Sequence, residues 1–151
     1  MRASSAFRTI ALTGLIVGIL DITSAFVIAV MRGTGSMRML QGITSGLIGP
    51  QSFQGGLATA ACGLAIHFLI AFAVVTIFYV ASRRIVFLTE DAVVSGILYG
   101  IAVYLFMYWV VIRVVFPNAH PSLSRDVTAV LVHISLIGLP TALIVQRYSK
   151  Q

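Results

Sequence analysis

The sequence predicts an all-α fold, a bundle of four transmembrane helices, and three observations carry that prediction. Four long apolar runs are separated by short polar stretches, apolar residues make up 59% of the chain against 9% charged, and the mean hydropathy is +1.03. A hydrocarbon layer about 30 Å thick needs about 20 apolar residues per helix, and each run reaches that length. The runs are continuous rather than alternating, which excludes the strands of a membrane barrel. The whole chain, 1–151, reads as one integral membrane domain.

The first span is expected over 9–31, between Arg8 and Arg32. Its N-terminal arginines and small residues resemble a signal peptide. Asp21 interrupts the apolar core that cleavage would require, however, and the run continues to Val30, so a retained span is the expectation. The second span covers 57–82 and is closed by Arg83 and Arg84. The third covers 92–116, with Arg113 placed to snorkel toward headgroups and Pro117 ending the helix. The fourth covers 127–146, with Ser124 or Asp126 as its cap and a kink at Pro140.

Between the first two spans, the segment 37–48 places Met39, Leu40, Ile43, Leu47 and Ile48 at helical spacing, with Gln41, Thr44 and Ser45 elsewhere. It is too short to cross a membrane, so it is expected as an interfacial or re-entrant helix. Gly55 and Gly56 then supply the turn into the second span.

The net charge of +6 comes from basic residues scattered at span ends. That distribution suits lipid headgroups and excludes a nucleic-acid surface. Arg2, Arg8, Arg83, Arg84, Arg147 and Lys150 fall on one side, and Arg32, Arg38, Arg113 and Arg125 on the other. This bias puts both termini in the cytoplasm. Cys62 is the one cysteine and lies within a span, so it forms no intrachain disulfide.

Ionisable residues near the middle of a span are expensive and point to function, and three spans carry one: Asp21, His67 and His133. At a rise of about 1.5 Å per residue they lie roughly 18 to 21 Å from the same face of the membrane, and Tyr104 shares that level. Gly14, Gly18, Asp21 and Ala25 fall on one stripe, as do Ala60, Gly63, His67 and Ala71, and Gly96, Gly100, Tyr104 and Tyr108. Small residues let membrane helices approach closely, so these faces are expected inside the bundle. Such a layer suits a proton relay or a pH-sensitive switch. The other reading is that Asp21 bonds a histidine only to fix helix packing.

Two cofactor readings use the same residues. His67 and His133 on facing helices are candidate axial ligands of a b-type haem, with Gly63 making room for the ring. Asp21, His67 and His133 are also a candidate set for a divalent metal, although no HxxxH spacing is present. His120, in the loop 117–126, is read as a solvated loop residue. The sequence contains no GxSxG, P-loop or HExxH, and Cys62 has no cation beside it, so no enzymatic activity is expected.

Four stretches, GILDITSAF (18–26), LQGITSGLIGPQSFQGG (40–56), GLAIHFLIAF (63–72) and GILYGIAVYLFMY (96–108), carry a resemblance to a widespread group of small bacterial inner-membrane proteins. The chain is distantly similar to the YagU type within that pattern. The resemblance implies a four-span bacterial inner-membrane protein and supplies no established activity, so no catalytic residues carry over. The expected function is proton-coupled transport or pH sensing, and the alternative is a structural or assembly subunit of a membrane complex. Besides lipid, a second copy or another membrane protein is the expected partner.

Overall fold

The computed structural model describes residues 3–116 and 123–149, and every regular element among them is helical. The first span is α1, Ala3–Met31, and the second is α3, Gly56–Ser82. Between them lie α2, Ser36–Ile48, and a 3-10 segment, Gly49–Gln54. After a short α4, Phe87–Glu90, the third span runs as α5, Ala92–Leu105, a π-helical turn, Phe106–Val111, and α6, Ile112–Val115. The fourth runs as α7, Leu123–Val132, a second π-helical turn, His133–Gly138, and α8, Leu139–Ser149. Four helical stretches are long and apolar enough to cross a membrane: Ser5–Met31, Gly56–Ser82, Ala92–Val115 and Asp126–Ser149.

These boundaries have local causes. α1 ends where Gly33, at φ +72°, donates to Val30, while Thr34 donates to Ala29. That left-handed position is one a side chain would disfavour. Gly49 and Gly56 also take positive φ and turn the chain out of α2 and into α3, as the sequence suggested for the second of these turns. Asp91 caps α5 by accepting the Val94 N–H at 3.2 Å. The start of the fourth span departs from expectation. α7 begins at Leu123, so Asp126 stands inside its first turn, where it complements the helix dipole, and does not cap it. Pro117 and His120 lie outside the described residues.

Small hydroxyl-bearing residues share the bundle interior with apolar ones, while large aliphatic residues cover its outside. Thr9, Thr13, Ser95 and Thr141 are buried with Val17, Val75 and Ala142, whereas Leu57, Leu69 and Ile77 face outward. Lipid is as apolar as leucine, so burying leucine gains nothing there and close packing decides which residues go inside. α1 packs on α3 and on the fourth span, and α5 packs on the fourth span. On the side that holds the chain termini, α3 and α5 meet through the Tyr99 hydroxyl, which donates to the Val74 carbonyl at 2.6 Å. The Phe78 and Tyr99 rings also meet edge to face there. Toward the opposite side, where α2 lies, α3 and α5 diverge.

Glycines make the tightest contacts. Gly14 and Gly18 receive the rings of Phe72 and Phe68, Gly63 lies against the Leu40 carbonyl of α2, and Gly96 and Gly100 lie against the backbone of Gly138, Leu139 and Ile134. α2 turns its polar face inward, against the usual arrangement of an amphipathic interfacial helix. Gln41 donates to the Gly56 carbonyl at 3.1 Å and Thr44 to the Thr59 carbonyl at 2.7 Å, while Leu47 and Ile48 are exposed. In hydrocarbon a polar group needs a protein partner, and the first turns of α3 supply it.

Candidate functional site: a buried layer at the junction of two cavity lobes

Asp21 and His67 meet, as the depth arithmetic predicts. His67 Nδ1 lies 3.9 Å from Asp21 Oδ2. The other ring nitrogen, Nε2, is 3.0 Å from the Gly18 carbonyl oxygen. A carbonyl only accepts, so Nε2 carries a hydrogen and Nδ1 is the nitrogen turned to the carboxylate. With Nε2 committed, attraction between Nδ1 and Asp21 requires a proton on one of the two. Gly18 serves this arrangement twice, because its missing side chain admits the Phe68 ring and its carbonyl holds the histidine.

His133 belongs to a different cluster. Its Nδ1 donates to the Ala129 carbonyl at 2.8 Å, one turn earlier on the same helix, which leaves Nε2 with the available lone pair. Its ring stands edge-on to Tyr104 and Tyr108, each 6.0 Å between centroids, and these two rings stack on each other at 4.8 Å. Tyr104 and Asp126 line the same lobe of the adjoining cavity. The layer is therefore two clusters, Asp21 with His67 and His133 with Tyr104 and Tyr108. Among the described residues no three His, Cys, Asp or Glu side chains group to hold a metal ion, so Asp21, His67 and His133 do not form the metal set that the sequence raised. Both ring nitrogens of His67 face protein groups, so axial ligation by Nε2 would require the Gly18 hydrogen bond to break.

Two adjoining cavity lobes flank the clusters and share part of their walls. One lobe, about 560 Å³, lies between α1, the third span and α7, and its walls include Arg32, Arg113, Asp126 and Trp109. The other, about 590 Å³, fills the gap between α3 and the third span, with α2 as one wall. Asp21, Met39, Met107, Tyr108, Ile112 and His133 line both lobes and so mark their junction. His67 lines only the second.

The mid-span residues Asp21, His67, His133 and Tyr104 were legible as exceptions to an apolar pattern. Trp109, Met39, Met107 and Asp126 were not, because they belong to ordinary classes of belt, core and helix-end residues. The two π-helical turns also lack a simple sequence signal, although Pro140 stands two residues beyond the end of the second. Searches against protein-family models, curated proteins and solved structures return no match for the chain.

Proposed function

We propose that this is a non-enzymatic multi-pass protein of the bacterial inner membrane, with both termini in the cytoplasm, that couples protonation of the Asp21 and His67 pair and of His133 to transport or to pH sensing. One observation carries the reading: Asp21 and His133 line both lobes, and His67, which faces Asp21, lines the lobe beside α3. A change of charge there alters which lobe tolerates a polar guest, and a proton shared between Asp21 and His67 is such a change.

Reconstitution into liposomes loaded with a pH-sensitive dye tests it. An imposed pH gradient should produce proton flux, or a pH-dependent change in Trp109 fluorescence, that Asp21→Asn removes with little effect on melting. A second reading, a structural or assembly subunit, is favoured by the His67 hydrogen bond to Gly18, which ties α3 to α1. It expects the opposite pattern: Asp21→Asn should lower the melting temperature or disrupt association with a partner, and no proton signal should exist to be lost. Cysteine reporters at the two termini, probed with an impermeant thiol reagent, test the orientation.

A further inference from the structure

The two lobes differ in chemistry in a way that proton exchange does not use. Apart from the residues at their junction, the lobe beside α3 has His67 as its one ionisable side chain and is otherwise walled by aliphatic residues, Phe116 and glycine. The lobe beside α7 carries the guanidinium groups of Arg32 and Arg113. Arg32 follows the end of α1 and Arg113 lies in α6, so both stand at the α2-side ends of their spans, and both are exposed. Among the described residues the His67 and Asp21 contact is the one ion pair, so neither arginine is neutralised by a carboxylate.

Asp126 lines the same lobe, in the first turn of α7, and makes no ion pair with either arginine among the described residues. Asp21 is turned to His67. Arg113 lies over the Trp109 ring at 4.2 Å, a cation–π contact that restrains its guanidinium within the wall of this lobe. The entrance therefore offers two cations with planar donor edges suited to a carboxylate or phosphate. Behind it, Met39 and Met107 stand in the wall shared with the apolar lobe, and their flexible thioethers adapt to irregular apolar guests. Each lobe has the volume of an ordinary small-molecule site.

We infer that the cavity binds an anionic amphiphile, with its carboxylate or phosphate between Arg32 and Arg113 and its alkyl chain passing Met39 and Met107 into the lobe beside α3. The inference rests on the shape and charge of the cavity and holds whether or not protons move through the protein. The anion is supplied either by a free alkyl acid or by a membrane lipid.

Trp109, the one tryptophan of the chain, lines the entrance lobe and serves as the reporter. The full-length protein in phosphatidylcholine nanodiscs is titrated with 9,10-dibromostearate, with the dibrominated alcohol of the same chain, with a dibrominated alkylammonium, and with phosphatidylglycerol carrying brominated chains. Saturable quenching by an anionic probe is expected, with the alcohol at least about tenfold weaker, and Arg32→Gln should weaken the anion by about the same factor, as loss of one charge-assisted contact implies. Saturation by the free acid alone identifies a free alkyl acid as the guest, and saturation by phosphatidylglycerol identifies a lipid. Quenching that rises without saturation and equally for acid and alcohol, indifference to Arg32→Gln, or preference for the ammonium probe overturns the inference. Arg32 is exposed, so a melting curve matching the wild type shows that the variant is folded and that its binding result stands.

Discussion

His67 Nδ1 stands 3.9 Å from Asp21 Oδ2 across the seam of α1 and α3, within ion-pair range and beyond direct hydrogen-bond reach. A small rotation of either side chain closes or opens that gap. The pair is held in this poised state because the opposite ring nitrogen is anchored to Gly18.

The first prediction follows from this division of labour. Asp21→Asn and His67→Gln should each reduce the proton signal at least about tenfold, and the double variant should fall no further, because groups that act as a unit are not additive. His67→Leu also loses the Gly18 hydrogen bond and should lower stability by about 1–3 kcal/mol. Liposome flux and thermal melting in detergent measure the two effects separately. A double variant markedly worse than either single one would show that the two residues act independently.

The second concerns the contact of α2 with α3. A methyl group added at Gly63 would strike the backbone carbonyl of Leu40, and backbone cannot swing aside as a flexible side chain does. Gly63→Ala should therefore destabilise by about 1–3 kcal/mol, the usual cost of overpacking. Gly42→Ala, with no heavy atom within 4 Å of the added carbon, should be neutral or favourable. Melting of the two variants side by side checks the contrast.

How much of this was legible in the sequence depends on the range of the signal. The spans are written as uninterrupted apolar length, so their existence and near-correct limits follow from solvent physics. Asp21, His67 and His133 were legible for the same reason, since each violates the rule that built its span. Which of them meet is a matter of helix rotation. Small-residue stripes placed Gly18 and His67 inside correctly but did not reveal that His133 faces Tyr104 and Tyr108. The direction of the polar face of α2 was not legible for another reason: Gln41 and Thr44 resemble residues meant for water, and their acceptors, Gly56 and Thr59, lie 15 residues away in a different helix. Nothing local in the sequence distinguishes those two fates.

The third prediction concerns the fourth span. Leu139 donates its N–H to Ile134, five residues back, and Pro140 has no N–H for an α-helical bond to Leu136. Pro140→Ala restores that donor and allows the turn to return to α-form. Each residue absorbed rotates the preceding helix by about 100°, which carries the His133 ring away from Tyr104 and Tyr108. Loss of the NMR cross-peaks between these rings is the expected result. Their persistence would show that the contact of Gly138 with Gly96 holds the π turn without the proline.

The fourth uses Cys62, exposed on α3 within a candidate span. In a bilayer that exposure is to lipid. A lipophilic maleimide should label it, and a charged, impermeant thiol reagent should react at least about tenfold more slowly because thiolate formation is disfavoured in apolar surroundings. Mass spectrometry of the labelled protein reads both rates. Rapid labelling by the charged reagent would place this face of α3 in water.

The meeting of Gly96, Gly100 and Gly138 has a consequence for how the molecule assembles. Joining two inserted helices normally immobilises the long side chains between them, and each one frozen loses up to about 2 kcal/mol of rotamer freedom. Glycine has no rotamers to lose, and its backbone freedom was already surrendered when each helix formed. The third and fourth spans therefore dock almost without entropic penalty, and their closely apposed backbones add dispersion and Cα–H···O contacts. This hairpin is a natural first unit of assembly, a preformed wall against which α1 and α3 close last, with the cavity trapped between the two halves.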